Sequence, residues 1–297
     1  MHKLTYFLLL SLLLSVSCNE TQTSKRYEPH GVELRKKIYK VGIHPYLNSK
    51  KMFVSYRPIL DYLESKLDNV EFFLETSKDY PAYDKKLYAR AFAFSLPNPF
   101  QTYNSLKHGY RVIAKMKPDS VFRGIFVARK DRKLKSVTDL RGEAVSFPAP
   151  TALAATMMPL YYLYENGLDI NREITQKFVG SQYSSILNAY SGDTVVGATW
   201  PPPWEAWSKE NPQKAAKMEV VWQTKPLINN GFVVRDDIDS TLAQKVLKLL
   251  TTLDQHDYGK KMLERAGFEG FEEADNTKYS VVQQFLDKYN QAKGVTK

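Results

Sequence analysis

Residues 147–169 read "FPAPTALAATMMPLYYLYENGLD", and their order of residue types decides the fold. The apolar end of a strand, Ser146 and Phe147, runs into a turn at Pro148 to Pro150, and small residues then begin a long apolar helix. Strand, tight turn and helix form the unit from which α/β proteins are assembled. A helix that starts directly after such a turn aims its first backbone N–H groups at whatever lies above the strand end. The positions where hydroxyls would reinforce those donors are Ala152, Leu153, Ala154 and Ala155, with Thr151 and Thr156 as the only hydroxyls nearby. The stretch therefore predicts an anion-compatible pocket, widened by its alanines for a ligand of low charge or apolar character.

The same alternation continues on both sides. "KIYKVGIHP" reads as an opening strand, and "YRPILDYLESKLDNV" places Ile59, Leu60, Leu63 and Leu67 on one helical face. "VEFFLETS", "AFAFSLPNP" and "YRVIAKM" read as further strands, with "YPAYDKKLYA" as a helix between the first two. "FRGIFVARKD" has the continuous apolar character of a strand passing between lobes. Beyond the quoted unit come strand "ITQKFVG", helix "YSSILNAYSGD", strand "TVVGATW", strands "MEVVWQT" and "GFVVRDD", and a helical tail carrying Leu242, Val246, Leu249, Leu250 and Leu253. An α/β protein with largely parallel sheets is expected. The body of about 260 residues exceeds what one core usually serves, so two lobes are expected.

The first 18 residues, "MHKLTYFLLLSLLLSVSC", have a basic start at Lys3 and an apolar run from Leu4 to Leu14, the pattern of a secretory signal. Cys18 is the only cysteine, which excludes a disulfide framework and a thiolate metal site. Residues 19–37 are polar and without apolar period, and are read as a tether. The formal charge is +10; seven basic and three acidic residues before residue 41 account for four of those charges, leaving six on the body. A mildly basic body suits anionic ligands or an anionic membrane, and nothing in it demands nucleic acid.

The five histidines, His2, His30, His44, His108 and His256, show no metal-ligand spacing and are assigned structural or solvated roles. No Walker, GxSxG or GxGxxG pattern occurs. Neither catalysis, nor a cofactor, nor a metal is expected. Three further places suggest a ligand: Tyr80, just before a helix in "SKDYPAYDKKL"; Phe94 and Ser95, at a strand end in "AFSLPNPF"; and Trp200, in "GATWPPPWEAW" after a strand. Strand ends of this kind are where α/β proteins place their ligands, and a tryptophan there can wall an apolar or cationic site. Trp204 and Trp207, three apart on a helix, are read as packing.

The residues "LSVSC" resemble a lipobox, which implies an acylated Cys18. Together with "YKVGIHPY", "DYPAY", "AFAFSLP", "SVTDLRGEAVSF", "GLD", "ILNAYSGDTVVGAT" and "PLINNGFVVRDDI", their order resembles the phosphate/phosphite/phosphonate substrate-binding proteins of ABC transporters over residues 38 to 290. That resemblance implies a two-lobed type 2 periplasmic-binding fold with two crossing strands and a ligand cleft. Lobe 1 would comprise residues 38–122 and 226–297, and lobe 2 residues 123–225. It also implies a monomeric, lipid-anchored protein on the periplasmic or cell-surface side of a bacterial membrane, serving an ABC permease. In that family a tyrosine like Tyr80 and a hydroxyl-rich helix start hold the phosphonate. The family's Ser-x-Ser-Gly type motif would fall on Ala152 to Ala155, where it is missing; its ligand histidine is matched by Ser181 and its acidic position by Asn230. The expected ligand set is thus Tyr80, Phe94, Ser95, Thr151, Ala152, Leu153, Ala154, Ser181, Trp200 and Asn230. A non-phosphonate ligand, apolar, aromatic or a quaternary amine, and a sensor or accessory role on the same fold are the alternatives.

Overall fold

The computed structural model describes residues 36–294, so the signal segment, Cys18 and nearly all of the tether lie outside the described residues. In chain order the elements are β1 (Lys37–Ile43), α1 (Ser49–Lys66), β2 (Val70–Glu75), α2 (Tyr80–Tyr88), β3 (Phe94–Leu96), α3 (Pro99–Ser105) and β4 (Tyr110–Lys117). Next come β5 (Ile125–Arg129), β6 (Ala144–Phe147), a π-helical turn (Leu153–Met157) running into α4 (Met158–Glu165), β7 (Thr175–Phe178), α5 (Gln182–Ser191), β8 (Val196–Thr199), α6 (Pro201–Glu210), α7 (Pro212–Ala215) and β9 (Met218–Gln223). The chain ends with β10 (Gly231–Arg235), α8 (Ser240–Thr251), α9 (Asp257–Ala266), β11 (Gly270–Glu273) and α10 (Ser280–Ala292).

Two sheets result, in the orders β11-β4-β10-β3-β1-β2 and β7-β6-β8-β5-β9. Both are mixed, where the alternation of elements predicts largely parallel ones. The β1–β2, β1–β3, β6–β7 and β6–β8 pairs are parallel. The antiparallel pairs involve β10 with β3 and β4, β4 with β11, and β5 with β8 and β9. The cause is the change of lobe: β5 and β10 are each the first strand after a crossing, so they enter their sheets against the direction set by the strand–helix units.

The crossings are extended segments paired with each other. Thr224 N donates to Gly124 O at 2.9 Å, Leu227 N to Phe122 O at 2.9 Å, and Asn229 Nδ2 to Pro118 O at 2.9 Å. Gly124 lies against the helix of the quoted stretch. A Cβ on it would stand 2.4 Å from Ala154 O and 2.7 Å from the Pro159 ring. Gly124→Ala is expected to cost about 1–3 kcal/mol through overpacking and to lower the melting midpoint by several degrees in calorimetry. An unchanged midpoint would mean that the crossing is free to move off the helix.

Local chemistry explains the element ends. Helix α1 begins seven residues before the apolar periodicity suggests, because Asn48 Oδ1 accepts from Lys51 N at 3.0 Å and caps it there; Pro58 is accommodated inside it. Asp79 caps α2 in the same way, accepting from Ala82 N at 2.8 Å. The π-helical turn precedes Pro159, which has no N–H to close an α-turn and whose ring crowds the carbonyl four residues back. Helix α10 joins the two halves: its Phe285 meets Tyr161 edge-on at 5.7 Å, and Ala292 sits in the core of the second sheet.

Candidate ligand-binding site

Where the two sheets face each other, six strand ends contribute to one small cavity. Its walls are His44, following β1; Tyr80, the first residue of α2; Asn98, capping α3; Phe122, from a crossing; Ala152 to Ala155; Gln182, the first residue of α5; and Trp200, following β8. No side chain in this set carries a full charge at neutral pH. Five helices start at its wall, and four of them have a side-chain cap or a run of prolines in the first turn. Asp79 caps α2, Asn98 caps α3 through a reciprocal box with Gln101, and Ser181 caps α5 by accepting from Ser184 N at 3.0 Å. Helix α6 starts with Pro201, Pro202 and Pro203, which have no N–H to give. The helix at Leu153 has no side-chain cap, and Met157 is its first residue to bond back, to Ala152 O at 3.4 Å. Its amides from Leu153 to Thr156 are four consecutive helix-start donors that no side chain caps.

The lobes are closed. Gln182 Nε2 donates to Tyr80 Oη at 3.1 Å across the cavity, while Thr199 Oγ1 donates to Gln182 Oε1 at 2.8 Å. Asn98 Nδ2 donates to Thr151 O at 2.9 Å, and the Thr151 hydroxyl bonds the Asp84 carboxylate. At the rim, Lys51 Nζ donates to Tyr183 Oη at 2.7 Å and pairs with Glu210. Trp200 is buried against Tyr46 at 5.4 Å and Phe122 at 5.6 Å between ring centroids. About 10 Å³ of cavity remains, room for one water. The pocket is not widened by its alanines as the sequence suggests, because Trp200, Leu153 and Gln182 fill the space that small side chains leave.

Burial shapes the ionisation of these groups. Desolvation holds His44 down at about 4, against the smaller opposing effect of its hydrogen bond to the Leu96 carbonyl, so the ring is neutral at pH 7. Burial pushes the Tyr80 hydroxyl far up, keeping its proton in place. Asp84 is raised to about 6, chiefly by desolvation, with its bonds to Gln101 and Thr151 acting in the opposite sense.

Of the residues singled out in the sequence, Tyr80, Ala152, Leu153, Ala154 and Trp200 meet at the cavity. Thr151 stands behind it, bridging the lobes through its carbonyl and hydroxyl. Phe94 packs inside the first sheet's core against Tyr39, Phe72 and Phe232. Ser95 donates to Gly42 O at 2.7 Å and bonds Tyr83 Oη at 2.7 Å, so its hydroxyl is committed within the first lobe. Ser181 is the α5 cap, and Asn230 lies in the return crossing with Nδ2 on Met116 Sδ. Trp207 is buried and Trp204 stacks on it at 5.6 Å. Sequence reasoning passed over Asn98, Phe122 and Gln182, and it gave His44 a structural or solvated role; Ala155 was seen at the helix start but not counted as a ligand residue. Asn98 and Gln182 had a signal, since each sits at a helix start after a strand. Among the described residues no group of three His, Cys, Asp or Glu side chains is placed to hold a metal. A larger groove of about 740 Å³ lies to one side, bordered by Lys117, Pro201, Lys260, Glu264 and Phe268; it mixes charges of both signs, and the helix start at its border, that of α6, opens on three prolines with no N–H to give.

The family model for periplasmic substrate-binding proteins of phosphonate ABC transporters matches residues 41–279. A probable phosphite-binding protein of an ABC transporter from Prochlorococcus marinus (strain MIT 9301) is 26% identical over 203 residues, which are 64% of this chain and 67% of that one. The crystal structure of a binding protein component of an ABC phosphonate transporter from Pseudomonas aeruginosa superposes with a TM-score of 0.79 at 15% identity, covering 87% of this chain and 88% of that one. A protein from Prochlorococcus marinus in complex with methylphosphonate gives 0.78 at 21% identity, covering 86% and 98%. At such identities the superpositions show a shared two-lobed fold.

Proposed function

Because the chain belongs to the periplasmic substrate-binding proteins of phosphonate ABC transporters, we propose that it captures a small phosphorus oxyanion between its lobes and delivers it to an ABC permease. The observation that carries this reading is the helix start at Leu153, which has neither a side-chain cap nor a proline in its first turn, unlike the other four helices that begin at the cavity. Backbone donors fixed in a helix cost no reorganisation, and the helix dipole favours negative charge there. Tyr80, with its proton retained, adds a neutral donor.

Capture proceeds by hinge motion at the paired crossings. The closed cavity holds no more than a water, so the ligand enters when the lobes part, and it takes over the bond that Gln182 makes to Tyr80. The lobes on either side of the hinge are residues 38–122 with 226–297, and 123–225. Cys18 carries the lipid anchor and residues 19–37 the tether; the lipobox-like "LSVSC" supports this. Among the described residues no helix is long and apolar enough to cross a membrane.

The test is calorimetric titration of the purified protein with methylphosphonate, phosphite, phosphate and choline, with small-angle scattering of each mixture. Binding of at least one phosphorus oxyanion at micromolar or lower concentration, about −8 kcal/mol, is the expected result, with scattering that reports closed lobes. Binding of choline in place of all three oxyanions would overturn the reading in favour of an aromatic cage.

A further inference from the structure

The cavity donates hydrogen bonds almost everywhere and accepts them at one place. His44 Nδ1 lies 3.0 Å from Leu96 O, and a carbonyl can only accept, so Nδ1 carries the proton. In a neutral imidazole the other nitrogen is then a bare acceptor. Neutrality is secured by full burial and by the rings packed against it, Tyr46 at 5.1 Å, Tyr80 at 6.2 Å and Trp200 at 6.5 Å, none of them charged. Desolvation to about 4 agrees. The other acceptors at the wall are used: Gln182 Oε1 by Thr199 and Asn98 Oδ1 by Gln101 N. Tyr80 Oη accepts from Gln182 and keeps its own proton to donate.

Resting on the oxyanion reading above, we propose that His44 Nε2 is the specificity-determining group of the cleft, and that it selects ligands presenting an O–H or N–H. An oxyanion that meets only donors is satisfied at the Leu153 to Thr156 amides and at Tyr80. One that also carries a proton satisfies His44, whereas a fully deprotonated oxygen placed there sets two lone pairs against each other. The ligand class is a hydrogen oxyanion of phosphorus, bound as its monoanion, and a sulfonate of the same shape is excluded. The absence of any cationic side chain from the wall points the same way, since a second negative charge would have no counter-charge.

The decisive pair is methylphosphonate and methanesulfonate, titrated calorimetrically into the protein at about pH 5.5, below the second ionisation of a phosphorus oxyacid. Both are then monoanions of similar size, differing by one proton, and both meet the protein in the same state of Asp84. Methylphosphonate is expected to bind about tenfold or more tightly, the effect of one satisfied against one unsatisfied buried acceptor. In His44→Asn, whose amide N–H can reproduce the Nδ1 bond to Leu96 while its shorter side chain withdraws the acceptor from the Nε2 position, the ratio should fall to about threefold or less. Equal binding of the two ligands by the unaltered protein would overturn the role of His44 while leaving the oxyanion reading intact. A ratio unchanged in His44→Asn would do the same. Binding of neither ligand would remove both readings, the oxyanion reading first.

Discussion

Trp200→Ala should lower the stability of the protein by about 3–5 kcal/mol, the range for truncating a buried aromatic side chain, and the melting midpoint by on the order of 10 °C. The reason lies in where the ring sits. Trp200 follows β8 of the second sheet, yet it packs within the first lobe's core cluster, against Tyr46, Phe122 and His44. Its removal empties a space between lobes, so the effect has two readouts: thermal denaturation reports the lost packing, and small-angle scattering should show a larger radius of gyration as the lobes separate. Trp204→Ala is the comparison, because Trp204 is only partly buried and stacks on Trp207 within the second lobe. It should cost less and leave the scattering unchanged. Equal losses for the two variants would mean that Trp200 does not hold the lobes together.

Asp84→Asn should stabilise the protein at neutral pH and not under acid conditions. Burial raises the Asp84 carboxyl to about 6 from an unfolded value of 3.8, so the folded state binds this proton more tightly than the unfolded chain does. The stability it contributes is full below about pH 4, declines as pH rises through about 6, and is lost above that. Other carboxylates have the opposite slope. The Arg235 guanidinium beside Asp237 holds that carboxyl low, so only the difference between the variant and the unaltered protein isolates Asp84. That difference should grow from about zero near pH 4 to a plateau above pH 7, measured as denaturation midpoints across pH. A difference independent of pH would show that Asp84 titrates normally. Asp84 bonds Gln101 Nε2 at 2.5 Å in the first lobe and the Thr151 hydroxyl in the second, and both donors favour its charged form.

Much of the architecture is legible without coordinates. The caps at Asn48 and Asp79, the apolar face of Ile59, Leu60 and Leu63, and the strand–turn–helix unit around Phe147 are set by residues a few positions apart. Tyr80 and Trp200 are visible as candidates because strand ends are where such folds place ligands. Phe94 and Ser95 meet the same criterion and point elsewhere, since which face of a short strand turns to the cleft depends on the sheet it joins. The mixed strand order was hidden for a related reason: the direction in which β5 and β10 enter their sheets follows from the path of the crossings.

By itself, then, the sequence determined the alternation of strands and helices, the caps and turns, the family, and a helix start stripped of hydroxyls. Only the tertiary structure decided what that helix start faces. His44 and Gln182 lie 138 positions apart and meet at one cavity, and the tautomer of His44 is fixed by a carbonyl 52 residues away. Local periodicity reports on neighbours within a turn or a pleat. The cleft is made by residues brought together through lobe closure, whose contacts leave no pattern along the chain.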